Sequence, residues 1–159
     1  MAVDACRASA ARHTFFGVTP NGAAAVVTTA GNTDTHVILR GGRSGPNYEA
    51  SHTAKALDLL AAAGLPRRLM IDASHGNSGK DHHRQLAVAE SLAGQITGGE
   101  RGVSGVMLES FLVAGRQDPG DPAALRYGQS VTDACMDIEM TAATLETLAA
   151  SVARRRRSC

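Results

Sequence analysis

Three short apolar runs in the middle of the chain each break off on a residue suited to chemistry. "THVILR" ends in Arg40, "LMIDASH" passes through Asp72 and Ser74 to His75, and "VSGVML" leads straight into Glu109. Strands that are short and nearly all apolar are expected where both faces are covered, which is the situation of a parallel sheet flanked by helices. The intervening segments fit this. Residues 50–63 read as a helix stopped by Gly64 and Pro66, and 80–96 as a helix with Leu86, Ala89, Ala93 and Ile96 at 3/4 spacing. A last helix is predicted over 138–154, with Leu145, Leu148 and Val152 on one face and the arginine run 154–157 fraying beyond it. The fold class is therefore α/β, with right-handed crossovers. Three such strands are either an open sheet or a piece of a barrel; the pattern leaves both open.

The front of the chain is different. Residues 1–12 read as an Ala-rich helix. The runs 14–20 and 23–29 flank Pro20-Asn21-Gly22, a strong hairpin signal. The stretch from Glu109 to Pro122 is rich in Gly, Asp and Pro and reads as a polar loop.

Composition excludes several function classes. A chain of 159 residues with 43% hydrophobic and only 3% aromatic content can build one core, from Leu, Val, Ile and Ala. A net charge of +1, without a basic face interleaved with aromatics, gives no nucleic-acid partner. Cys6, Cys135 and Cys159 lie far apart with no CxxC, against both a disulfide framework and a zinc knuckle. No run of 18 apolar residues and no signal-peptide core is present, so a cytoplasmic protein with no membrane partner is expected.

In α/β sheets and barrels, ligands bind at the C-terminal rim of the strands. Parallel neighbours lie about 4.8 Å apart, so Arg40, His75 and Glu109 converge on one small site. Asp133, in "SVTDAC", opens a later segment able to fold over the same rim. One imidazole and two carboxylates form an N,O,O set suited to Mn²⁺, Fe²⁺ or Co²⁺, and less selectively to Zn²⁺. Arg40 offers a bidentate fork for phosphate or carboxylate, Gly41-Gly42 lets backbone amides approach an anion, and Asp72 is positioned to orient the site from behind. Each residue also has an ordinary reading. His75 fits a hydrogen-bonded loop histidine, Glu109 and Asp133 solvated caps, and Arg40 the partner of an acid. His82-His83 read as solvent-facing, and Cys135 as a small buried hydrophobe rather than a nucleophile.

"HVILRGG", "PNY", "LMIDASHGNSGK", "GGERGVSGVMLESFLVAGRQ" and "YGQSVTDAC" occur in that order. Together they resemble the C-terminal part of class I 3-deoxy-D-arabino-heptulosonate 7-phosphate (DAHP) synthase, from about Val3 to Ala153. The resemblance implies the C-terminal portion of a (β/α)8 TIM barrel, one partial domain over 1–159, with an inserted β-hairpin at 14–29 that matches the family's regulatory element. It implies condensation of phosphoenolpyruvate with D-erythrose 4-phosphate and water, the first step of the shikimate pathway and of aromatic amino acid biosynthesis. A divalent metal would polarise the aldehyde; carbon 3 of phosphoenolpyruvate would attack it, water would add to carbon 2, and phosphate would leave. Carried over by motif, Arg40 resembles the arginine for the phosphoenolpyruvate phosphate, His75 the catalytic, metal-binding histidine against phosphoenolpyruvate, and Glu109 and Asp133 the carboxylate ligands.

The resemblance also implies absences. A full-length member is more than twice as long, and the metal-binding cysteine, the "KPR"-type loop and further phosphate-binding residues belong to its other half. Neither Cys6 nor Cys135 sits in the matching context. Two raw sheet edges and one open apolar face are expected. An aromatic amino acid effector is implied, but half of its pocket lies elsewhere. Two other readings stand beside this one: a truncated, non-catalytic remnant acting as an interaction or oligomerisation module, paired with the N-terminal half or with itself; or a different α/β enzyme, such as another metal aldolase or a sugar-phosphate isomerase.

Overall fold

The structure is a computed structural model and describes residues 1–158. Its centre is a three-stranded parallel sheet in sequential order: β3 (Val37–Leu39), β4 (Leu69–Asp72) and β5 (Val103–Met107). Ile38 is paired with Met70 and Asp72 with Met107, with a bulge between Leu69 and Met70. The connections are α2 (Ala50–Ala62) and, after a single turn α3 (His75–Ser78), α4 (Arg84–Thr97). The core lies between one sheet face and these helices. Leu69 and Ile71 are fully buried against Leu57, Leu60, Val88 and Leu92, and Cys6 of α1 (Ala2–Ala10) closes it near Val37.

The opposite sheet face is open among the described residues. Ile38 and Met107 are 40% and 36% exposed. The alternation of buried Leu69 and Ile71 with Met70 therefore marks a sheet with one face covered by this chain's own helices.

The hairpin β1 (Thr14–Val18) and β2 (Ala24–Thr28) forms as expected, antiparallel, as a separate two-stranded sheet. Gly22 adopts φ +80° in the turn, the left-handed conformation that a glycine supplies without steric cost.

Four expectations from the sequence are corrected. The polar stretch after Glu109 is not wholly loop: β6 (Val113–Arg116) pairs in parallel with β7 (Gln129–Ser130), and Gly115 bridges Cys135. Helix α4 begins at Arg84, not Lys80. Lys80 sits at φ +64°, and the Asp81 carboxylate accepts the amide of His83, so a turn occupies 80–83. His82 stacks on His83 there, ring centroids 4.0 Å apart.

Helix α5 (Ile138–Arg157) does not fray at Arg154. The arginine run is helical, and Arg155 donates to the carbonyl of Glu100 at 2.6 Å. Finally, α5 does not turn Leu145 inward; that residue is 54% exposed. Its buried positions include Thr141, Thr144 and Ser151, whose hydroxyls donate to the carbonyls of Asp137, Met140 and Leu148. A hydroxyl satisfied by its own helix packs as a small side chain, so this face approaches α4 closely without large apolar residues. Asp137 caps α5 by accepting the amide of Met140.

Candidate metal and anion site

The four sequence-predicted residues lie at the C-terminal rim of the parallel sheet. His75 Nε2 is 3.6 Å from Glu109 Oε1 and 3.7 Å from Asp133 Oδ2, and one donor atom from each residue lies within 4.8 Å of the others. Ligands on a first-row divalent ion with bonds of about 2.1 Å stand roughly 3–4 Å apart, so the donor set fits such an ion both in chemistry and in spacing. All three side chains are partly exposed, open to a ligand from the rim. Arg40 is not within the triad. Its Nε lies 4.0 Å from Asp72 Oδ2, and its side chain as a whole is exposed.

The local sequence builds this placement. Strand β4 ends on Asp72, which is 2% exposed. The next two residues turn the chain so that His75, at φ +46°, folds its ring back over Asp72, with Nδ1 2.7 Å from Oδ2. A non-glycine residue in that left-handed region is uncommon and costs about 1–3 kcal/mol; the hydrogen bonds around Asp72 hold it there.

Gly41 and Gly76 let the Arg40 and His75 loops touch backbone to backbone. A Cβ on Gly41 would come within 2.5 Å of the Gly76 carbonyl carbon, and one on Gly76 within 2.9 Å of the Gly41 carbonyl carbon. The expected anion-binding role of the Gly41 and Gly42 amides is corrected here. Gly41 N donates to Asn47 Oδ1 at 2.7 Å and Gly42 N to the Gly45 carbonyl at 3.1 Å, so both amides are spent within the loop.

Two residues that the sequence reading passed over hold the rim together. Asn77, 1% exposed, donates to the carbonyls of Leu39 and Asp72 and accepts the amide of Asn47. It thereby staples the ends of β3 and β4 to the Arg40 loop. Gln85, equally buried, accepts the Glu109 amide at 2.8 Å and donates to the Glu109 carbonyl at 3.2 Å. Their only signal in sequence was an amide side chain within an otherwise apolar helical face or next to a glycine turn.

Charge in the site is uneven. Lys80 Nζ donates to Asp133 Oδ1 at 3.1 Å and holds that carboxyl below its usual 3.8, with desolvation working against it. The buried Cys135 thiol is pushed up from 9.0, first by desolvation and further by the Glu109 and Asp133 carboxylates. Cys6 and Cys135 are free thiols, and Cys159 lies outside the described residues. A separate cleft of about 670 Å³ opens at the other end of the strands, beside Arg67, Gln95 and Gly102. Among the described residues the cleft is lined by no imidazole–carboxylate cluster such as the one at the His75 rim.

The model of the DAHP synthetase I family matches residues 1–146. The chain belongs to that family. It is 52% identical to a Corynebacterium glutamicum phospho-2-dehydro-3-deoxyheptonate aldolase over 164 residues, covering 98% of this chain and 44% of that protein. It is 49% identical to a tyrosine-inhibited Schizosaccharomyces pombe aldolase of the same name over 162 residues, covering 99% and 44%. The solved structure of the Francisella tularensis enzyme of that name superposes with a TM-score of 0.86 at 45% identity, over 96% of this chain and 44% of the other. The chain thus spans less than half the length of the curated relatives it matches. Among the described residues no helix is long and apolar enough to cross a membrane.

Proposed function

We propose that this chain carries the C-terminal share of a DAHP synthase active site. The remaining half of a (β/α)8 barrel would pair with the edges of β3 and β5. The reaction is condensation of phosphoenolpyruvate with D-erythrose 4-phosphate and water, giving DAHP and phosphate, in the cytoplasm. The observation that carries this reading is the convergence of His75 Nε2, Glu109 Oε1 and Asp133 Oδ2 at the strand rim, in a chain of this family.

In this reading His75, Glu109 and Asp133 hold a divalent cation such as Mn²⁺, Fe²⁺, Co²⁺ or Zn²⁺. The cation supplies Lewis acidity toward the erythrose 4-phosphate aldehyde. Arg40 presents its exposed fork to the phosphate of phosphoenolpyruvate, and its position beside Asp72 brings that anion close to the His75 ring. Gln85 holds the backbone of Glu109, and Asn77 fixes the Arg40 loop relative to β4. Such fixed groups stabilise developing charge without reorganising during the reaction. The hairpin at 14–29 forms part of the element that senses an aromatic amino acid; the names of relatives from Schizosaccharomyces pombe and Escherichia coli describe those enzymes as tyrosine-inhibited and Phe-sensitive.

Mixing this chain with the N-terminal half of a family member tests the reading. Phosphate release well above that of either piece is expected, and abolished by His75→Ala. A rate no higher than the separate pieces would sink it. A second reading, a non-catalytic interaction or oligomerisation module, is favoured by the hairpin's exposed Phe16, Val18 and Val26 at 91%, 71% and 64%. It predicts self-association in light scattering together with no complementation.

A further inference from the structure

Asp72 makes more hydrogen bonds than a strand-end acid needs. Its Oδ1 accepts both the amide and the hydroxyl of Ser74, at 2.8 and 2.5 Å, and its Oδ2 lies 2.7 Å from His75 Nδ1. Ser74 Oγ is also 2.7 Å from that nitrogen. A hydroxyl has one proton, and here it goes to the carboxylate, so Ser74 offers Nδ1 only a lone pair. The nitrogen therefore faces two acceptors. A lone pair on Nδ1 would oppose a buried carboxylate oxygen; a proton there satisfies both neighbours.

We propose that Asp72, pinned by Ser74, is a positioning residue that fixes His75 as the Nδ1–H tautomer and so turns an Nε2 lone pair toward Glu109 and Asp133. The neutral ring has one proton, and with Nδ1 holding it, Nε2 is left as a ligand. The two carboxylate oxygens 3.6 and 3.7 Å from Nε2 then surround a lone pair rather than a donor, an arrangement completed by a cation. Burial of Asp72 keeps water from competing for Nδ1. The left-handed backbone of His75 points the ring back at an acid three residues earlier in the chain. The proposal rests on the metal-site reading given above and adds the device that sets the imidazole's direction.

Asp72→Asn is the decisive substitution. The Ser74 amide N–H must still find an acceptor, so the carboxamide oxygen takes the Oδ1 position and its NH2 the Oδ2 position. That NH2 donates to Nδ1 and drives the ring proton to Nε2. The experiment records the 15N shifts of both His75 ring nitrogens at pH 8.5 on the metal-free 159-residue chain, assigned against His75→Gln, together with Mn²⁺ titration of each variant. The expected result is Nδ1–H in the unsubstituted chain, Nε2–H in Asp72→Asn, and a 10- to 100-fold loss of Mn²⁺ affinity in that variant. Ser74→Ala keeps the amide clamp; it is expected to retain Nδ1–H and lose less than tenfold. An Nε2–H ring in the unsubstituted chain overturns the proposal, as does an unchanged tautomer in folded Asp72→Asn. If Asp72→Asn does not fold, the unsubstituted chain and Ser74→Ala decide by the same criterion. A tautomer switch with equal Mn²⁺ affinity in all variants, His75→Gln included, supports the positioning role and overturns the metal reading instead.

Discussion

Lys80 and Asp133, 53 positions apart, meet at 3.1 Å directly beside His75. The ammonium is placed on one oxygen of a carboxylate whose other oxygen faces the imidazole. A fixed positive charge at that distance opposes a second cation by a salt-dependent Coulomb term. Lys80→Met is therefore expected to raise Mn²⁺ affinity about two- to tenfold at low salt, with the gain shrinking toward 0.5 M salt. Isothermal titration at two ionic strengths checks both statements.

The same pair sets a pH dependence. Lys80 lowers the Asp133 carboxyl below 3.8 in the folded chain. A depressed acid stabilises the fold above its unfolded value and loses that contribution as pH falls through its folded value. The pair is partly exposed, so the contribution is at most about 1 kcal/mol. Melting curves of the unsubstituted chain and Lys80→Met should differ slightly at pH 7 and merge once the pH has fallen through the lowered value of the folded Asp133 carboxyl.

Cys135 works in the opposite direction. Burial, with Glu109 and Asp133 nearby, raises its thiol above 9.0. The proton-bound form is favoured by the fold, so this contribution is complete below pH 9 and is lost as pH rises through the raised value. At pH 8 the thiolate fraction is small. Peptide mapping after iodoacetamide treatment should find Cys135 modified at least tenfold more slowly in the folded chain than in urea.

Gln85→Ala should weaken the site without touching a ligand. It strips the Glu109 amide of its acceptor and costs about 1–3 kcal/mol. Mn²⁺ affinity should fall several-fold, because the Glu109 carboxylate then rides on a looser backbone. Gln85→Glu keeps the acceptor for the amide and sets a carboxylate oxygen against the Glu109 carbonyl; partial recovery of affinity is expected in titration.

Gly41→Ala meets two penalties at once. The residue sits at φ +73°, and its new methyl would come within 2.5 Å of the Gly76 backbone. A loss of more than about 2 kcal/mol in urea denaturation is expected. Gly22→Ala shares the positive φ but faces open space, so it should cost less.

What the sequence made legible was whatever recurs with a period or is carried by an unusual end. The parallel strands, the hairpin and α2 follow from apolar runs and from turn residues such as Gly64 and Pro20-Asn21-Gly22. The convergence of His75, Glu109 and Asp133 followed from strand ends and from the family motifs. The β6–β7 pair was hidden because it is held by Gln and Gly contacts, with Gln129 donating to the Ala114 carbonyl, rather than by an apolar stripe. The buried face of α5 was misread for a related reason. Threonines satisfied by their own helix lack the signature of hydrophobic periodicity. Asn77 and Gln85 act through backbone groups distant in sequence, and no spacing rule marks such partners.

Between Gly41 and Gly76 two main chains lie against each other with no side chain to cushion them. The guanidinium arm and the imidazole arm are thus mounted on one stiff ledge. If the site works as proposed, a displacement of the Arg40 loop would therefore be passed to the His75 loop through hard backbone contact rather than absorbed by a side chain.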